Sequence, residues 1–318
     1  MYRQNILIPI LLLLFSYSGN IVAQDPEFTQ FYANPLYLNP ALAGMGRCPR
    51  VNLNYRNQWP GISGTYITNS VSYDQHVEAI GGGLGLLIMK DKAGQGTLST
   101  TNVSGIYSYL LNVNREFSLK FGVQASFFQK SIDWSKLTFG DMIDERRGFV
   151  YSTNEQQKLQ SKSNVDFSAG ILGYSKRYYF GFAAHHLTQP DEGLLGVSKL
   201  PMKLTLHAGA SLPIGDKGTH TFFSPNVLYQ QQQNFQQLNL GLYVTKGSIV
   251  AGLWYRNQDS FIAVIGFHQH FFKVGYSYDV TVSKLTNATA GSHEISFSIQ
   301  FECKHKKKTF RTDSCPSF

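Results

Sequence analysis

Charge is scarce in this chain: Asp, Glu, Lys and Arg make up 15% of its 318 residues, where a soluble domain usually carries about 25%. Cysteine is scarcer still, with three residues and no C-x-x-C spacing, which removes both a dense disulfide scaffold and a thiolate metal motif. Long apolar runs are absent too. The longest, Ile6–Phe15, has ten residues, about half of what a membrane helix needs, and mean hydropathy is −0.18. A bundle of transmembrane helices is thereby excluded. Disorder is excluded from the other side, because 42% of the residues are hydrophobic.

What is abundant is glycine (29 residues), tyrosine (18) and phenylalanine (23). High aromatic content with low charge and mild average hydropathy points to apolar and polar residues in alternation. That alternation begins near Arg50. Phe117, Leu119, Phe121, Val123, Ala125 and Phe127 are separated by Ser, Lys, Gly or Gln, and Leu238–Val244 and Ile295–Phe301 repeat the pattern. Period 2 is the signature of strands with two unlike faces. About fourteen such segments are laid out, centred near 50–58, 66–75, 80–90, 97–110, 115–129, 164–175, 177–187, 203–212, 219–230, 236–246, 248–257, 260–269, 271–280 and 292–302.

The connections sort by parity. After even-numbered strands they are tight, as at Asn112-Val113-Asn114, Ser175-Lys176, Ile214–Gly218, Lys246-Gly247 and near His270. After several odd-numbered strands they are long: Ser131–Ser163, Thr188–Met202 and Thr281–Gly291. A soluble sandwich gives no reason for this asymmetry. An outer-membrane barrel does, with short periplasmic turns, long external loops and an even strand count. The expected fold is therefore an all-β, antiparallel transmembrane barrel of about 14 strands, with lipid on the apolar faces and Tyr and Phe at the interfaces.

Four regions follow. Arg3, the run Ile6–Phe15 and the small residue Ala23 read as a secretory signal peptide over 1–23, cleaved after Ala23. Residues 24–49 lack alternation and carry Asn34-Pro35 and Asn39-Pro40, in which each Asn is expected to cap the following turn. This segment is expected to plug the lumen or cover its periplasmic mouth, through Phe28, Phe31, Tyr32, Asn34, Pro35, Tyr37, Asn39 and Pro40. The barrel spans 50–302. The tail 303–318 carries Lys304, Lys306, Lys307, Lys308 and Arg311, a basic cluster suited to acidic headgroups or an acidic periplasmic protein. Within the tail, Cys303–Cys315 is the simplest bridge, with Cys48–Cys303 as the competing pairing.

Two internal echoes locate lumenal charge. Tyr55-Arg56-Asn57-Gln58 recurs as Tyr255-Arg256-Asn257-Gln258, and Ser72-Tyr73-Asp74 as Ser277-Tyr278-Asp279. Alternation turns the Tyr residues outward and Arg56, Arg256, Asp74 and Asp279 inward. Arg56, Arg256 and Asp279 are expected to form a polar network near the outer rim, with Asp74 toward the periplasmic rim. Loop Ser131–Ser163, with Asp141, Asp144, Glu145, Arg146 and Arg147, is the candidate external contact.

Several of these segments together resemble the PorP/SprF family of outer-membrane proteins of the type IX secretion and gliding machinery of Bacteroidetes. They are QDPEFTQFYANPLYLNPALAG over 24–44, YRNQWP over 55–60, SYD over 72–74, the Gly81–Gly85 run, GYSYD over 275–279, SKL over 283–285, GSHE over 291–294 and the terminal Cys315-Pro316-Ser317-Phe318. The resemblance implies a barrel component of protein secretion rather than an enzyme, without a cofactor. Its implied partners are other type IX components (a periplasmic ring or peptidoglycan-binding protein), a large secreted surface adhesin, and outer-membrane lipid. Nucleic acid is not expected. No catalytic constellation appears among the residues: His268 and His270 share a strand face without a third ligand at metal-site spacing, and no Gly-x-Ser-x-Gly elbow is present. The competing reading is a diffusion channel or uptake porin with the lumenal Arg and Asp residues as its filter.

Overall fold

The computed structural model describes residues 25–302 apart from positions 47, 95, 145, 156–158, 195, 216–220 and 283–288. The expected signal peptide, the basic tail with Cys303 and Cys315, Glu145 and the SKL motif lie outside the described residues.

Fourteen strands form the wall: β1 (Arg50–Gln58), β2 (Tyr66–Val77), β3 (Gly82–Ala93), β4 (Leu98–Asn112), β5 (Phe117–Ile132), β6 (Ser161–Ser175), β7 (Tyr178–His185), β8 (Lys203–Ala210), β9 (Thr221–Gln232), β10 (Phe235–Lys246), β11 (Ile249–Arg256), β12 (Ser260–Gln269), β13 (Phe272–Thr281) and β14 (Ser292–Gln300). Each pairs antiparallel with its neighbours in chain order, and Leu212–Pro213 adds a two-residue extension beside β9. The sheet closes where β1 meets β14, from Arg50 opposite Gln300 to Gln58 opposite Ser292. Closure leaves no free edge, which is what a β-structure in lipid requires.

The pleat explains the alternation. Tyr55 is 41% exposed on the outer surface while Arg56 beside it is 1% exposed inside. Leu53, Val71, Leu86, Phe121, Phe167 and Leu240 are likewise outward, and form the apolar band that lipid covers. Both chain ends of the barrel and the turns 78–81, 113–116, 176–177, 247–248 and 270–271 lie at one end, the periplasmic one. The long connections 133–160, 186–202 and 282–291 lie at the other. The external connection after β5 folds on itself as a two-residue ladder, Ile143–Asp144 against Gly148–Phe149. Its acids cap their own loop: Asp144 accepts from the Arg146 and Arg147 amides, and Asp141 from Asn154.

The described residues before β1 lie inside the wall. They run through a 3-10 turn (Phe31–Ala33), one helical turn (Pro35–Leu38) and a second 3-10 turn (Pro40–Leu42). Pro at the first helical position suits its fixed φ and missing N–H. Asn39 caps the second 3-10 turn, its Oδ1 accepting from the Ala41 amide at 2.9 Å. Asn34 departs from the expected capping role: it makes no side-chain cap and donates instead to Ser70 Oγ on β2 at 2.9 Å. With a hydroxyl on the wall in reach, the side chain serves the contact between thread and barrel.

Cys48 is disulfide-bonded; the expected Cys303–Cys315 pairing falls on residues outside the described ones.

Candidate functional site

A barrel of fourteen strands is wide enough to enclose a lumen that its own wall side chains leave open. Here residues 25–46 fill it. At the periplasmic end, the Gly44 amide donates to Asp74 at 2.9 Å and Gln300 donates to the Gly46 carbonyl at 2.9 Å. At the external end, Asp25 meets His186, just past the end of β7, at 2.8 Å and Lys203, the first residue of β8, at 3.6 Å. The segment is a thread that traverses the lumen.

Apolar contacts seat its middle. Phe28 packs edge-on against Tyr37 at 5.2 Å, Phe31 against Trp254 of β11 at 5.2 Å, and Tyr32 against Tyr179 of β7 at 5.9 Å. Lys203 lies over the Tyr37 ring at 4.9 Å. Asn39 donates to the wall carbonyls of Ile171 (3.1 Å) and Phe182 (3.2 Å) and sits 3.2 Å from His207 Nε2. The wall yields where the backbone comes closest: a Cβ at Gly122 would strike the Pro40–Ala41 peptide, and one at Gly83 would strike the Ala43 carbonyl. These glycines are sockets for the thread.

Charge closes the arrangement. Arg56 bonds Asp279 at 3.0 Å and Glu294 at 3.4 Å, with side chains 3% exposed or less. Arg256 reaches Asp279 at 3.5 Å, Asp259 at 3.2 Å and Glu27 of the thread at 3.9 Å. Thr29 of the thread enters the same network: its hydroxyl donates to Asp279 at 2.8 Å and contacts Arg56, and its amide donates to Glu294 at 2.5 Å. The Gln30 amide adds a bond to Glu294 at 3.1 Å. Asp74 stands apart at the other end, gripped by Arg50 through two bonds of 3.0 Å. Arg56, Arg256 and Asp279 are thus brought together, and Asp74 is joined to Arg50 instead.

Near the external end a second cluster holds the thread. His186 bridges Asp25 (2.8 Å) and Asp166 of β6 (2.7 Å). Burial alone would lower its pKa, but Asp25 and the hydrogen-bonded Asp166 hold the imidazolium up to about 10. The Asp25 carboxyl is held well below the usual range: burial opposes this, and His186 and Lys203 outweigh it.

The thread divides the interior into two chambers. The outer one, about 1100 Å³, is lined by Glu27, Asp91, Lys130, Glu192, Gln124 and Asp259 among others. The connection after β7 leans over it, tied by Glu192 to Lys130 (2.9 Å) and by Asp191 to Lys162 (2.6 Å). The periplasmic one, about 360 Å³, lies between the thread at Tyr32 and Met45 and the wall at Tyr243, Val250, Val264 and Lys273.

A family model described as type IX secretion system membrane protein PorP/SprF matches residues 20–299. The chain belongs to the PorP/SprF family. It is an outer-membrane β-barrel of a protein-secretion family. This PorP/SprF protein is similar in structure to the Ralstonia pickettii toluene transporter TbuX (TM-score 0.49, 11% identity, covering 84% of this chain and 93% of that one). It is also similar to a Pseudomonas aeruginosa FadL homologue (0.45, 12%, covering 83% and 93%) and to the KdgM porin (0.40, 8%, covering 80% and 99%). No curated protein sequence matches it.

The structure adds to the PorP/SprF site residues that the sequence reading passed over. Glu294 follows from the same alternation that turns Ile295 and Phe297 outward. Thr29, Glu27 and the Asp25–His186–Asp166 cluster carry no such signal, because partners across some 160 to 265 residues have no spacing to betray them.

Proposed function

We propose that this protein is a non-enzymatic, plugged barrel of the type IX secretion and gliding machinery, holding periplasmic machine components or a secreted surface protein at the outer membrane. The observation that carries this reading is the thread. A lumen filled by residues 25–46, with Arg56, Asp279 and Glu294 committed to Thr29, favours a docking body over a diffusion pore. Family membership supports other secretion components as partners. The cleaved leader belongs to the same reading. On the periplasmic side the basic tail would supplement the docking face, and on the external side loop 133–160 would meet cargo.

Crosslinked affinity purification from the native cell, with co-purifying proteins identified by mass spectrometry, tests the reading. Periplasmic ring or peptidoglycan-binding proteins would make it a scaffold component, and a single large surface protein a cargo partner. Porin-like conductance of the intact protein in planar bilayers would overturn it. Deleting Phe28–Asn39 should raise conductance from a low basal value.

A further inference from the structure

Across β1 to β6 the lipid-facing positions carry only two charged side chains, Lys90 and Lys92 of β3, and they are neighbours. Val71, Ile88, Val103 and Phe127 are register partners on β2 to β5 and stand outward in the apolar band. Two residues nearer the external end, the next outward row reads Asn69, Lys90, Thr101 and Gln129. In the row beyond it, Lys92 stands between Ile67 and Ser99. Both lysines are exposed, and neither is in an ion pair among the described residues. A transmembrane strand needs about 9–11 residues to cross the hydrocarbon. Counted from Gly82 at the periplasmic turn, Lys90 and Lys92 are the ninth and eleventh residues of β3. They therefore stand at the outer boundary, where a lipid-facing base costs little and its long stem lifts the ammonium to the headgroups. A third lysine lies alongside. A Cβ on Gly96, in the external turn after β3, would be 3.4 Å from Lys136 Nζ and 4.0 Å from Lys92 Cδ. Lys136 is paired with Asp133 at 3.8 Å, so it adds to the positive field rather than offering an open donor.

We propose that the outer face of β2 to β5 at this level is a binding site for the phosphate of an outer-leaflet glycolipid, lipid A, held by Lys90 and Lys92. The inference rests on the barrel's place in the outer membrane and goes beyond the docking reading, so either stands without the other. Three features favour that occupant. The two ammonium groups sit directly above an apolar face, Val71, Ile88 and Val103, which matches a lipid with acyl chains below a charged head. No carboxylate occupies an outward position on β1 to β6, so the field there is of one sign and attracts an anion. Asn69, Thr101, Ser99 and Gln129 flank the lysines with amides and hydroxyls, the groups that hydrogen-bond phosphate and sugar oxygens.

The test titrates the protein, purified from membranes in a neutral detergent, with diphosphoryl lipid A and counts bound lipid by native mass spectrometry. Lipid A should bind at least tenfold more tightly than phosphatidylcholine. The double change Lys90→Gln with Lys92→Gln should weaken lipid A at least fivefold, and the corresponding double change to Arg should restore it. Lys162→Gln, an inward lysine at the same end of the barrel, should leave it unchanged. The heat-induced shift of the barrel band on gels shows that each variant is folded. Lipid A binding that survives the double Gln change overturns the proposal, and so does phosphatidylcholine binding as tight as that of lipid A. Equal binding of phosphatidylglycerol overturns the glycolipid assignment, because the patch would then hold any anionic headgroup. Displacement of lipid A by 5 mM inorganic phosphate overturns the lipid source. If the double Gln change instead removes a co-purifying membrane protein and leaves lipid A bound, the face is a protein contact and the proposal fails.

Discussion

The external and periplasmic halves of the lumen are built from the same strands and filled by the same thread, yet they are finished to different degrees. Toward the outside, Asp25 has His186 and Lys203, Asp166 has His186, Glu192 has Lys130, and Asp259 has Arg256. Toward the periplasm, Arg50 and Asp74 are matched, while His268 and Lys273 face each other across one rung of the sheet. Where charges are matched inside the chain, the structure is self-sufficient. At the periplasmic end two bases share a rung in place of an acid and a base. The thread is the boundary between the two regimes.

The change that should do most to break this contrast is Arg56→Met. It would strand Glu294 and weaken the hold on Asp279, both less than 4% exposed, and removing one partner of a buried pair costs about 3 to 5 kcal/mol. Urea unfolding of the detergent-solubilised barrel should show a loss of that order, and a change below 1 kcal/mol would mean the network does not anchor the thread.

Gly122→Val comes next. Its Cβ would occupy the space of the Pro40–Ala41 peptide, so the thread must shift, at a cost of about 1 to 3 kcal/mol. Bilayer conductance should rise while the strand content measured by circular dichroism stays constant.

The external anchor offers a sharper and smaller test. With His186 protonated up to about 10 against about 6.5 in an unfolded chain, its stabilisation is complete below pH 6.5 and is lost as pH rises through 10. Protease cleavage within residues 25–30 should therefore increase between pH 8 and pH 10.5. In His186→Gln it should be high and flat across that range. A wild-type profile without pH dependence would remove His186 from the anchor. Smallest of all is Lys162→Gln, which breaks an ion pair whose members are 27% and 34% exposed. Such pairs contribute little, and the unfolding midpoint should not move measurably.

Much of this was readable in the sequence because strand periodicity is local. Phe117–Phe127 announces β5 by itself, and one consistent period assigns every inward residue, Arg56 and Asp279 included. The parity of connection lengths then distinguishes the two ends. The thread is different in kind. Phe28–Gly44 has no periodic face, since it makes contacts all round, and each of its partners is fixed by closure of the wall rather than by spacing along the chain. Asn34 illustrates the limit: local chemistry suggests a cap, and Ser70 on a neighbouring strand takes the side chain instead.

The seam between β1 and β14 carries a consequence for biogenesis. Arg56 and Glu294 are register partners across it, and the Thr29 and Gln30 amides both donate to Glu294. The first described segment of the chain therefore contacts the last strand some 265 residues later, at the line where the cylinder is sewn shut. Such a distant contact forms late, once most loop-closure entropy has been spent. Capturing the thread and stitching the seam are thus one cooperative event, in which the thread is the former around which the last rungs zip. An insertion catalyst that released the barrel before residues 25–30 were in place would release an open sheet.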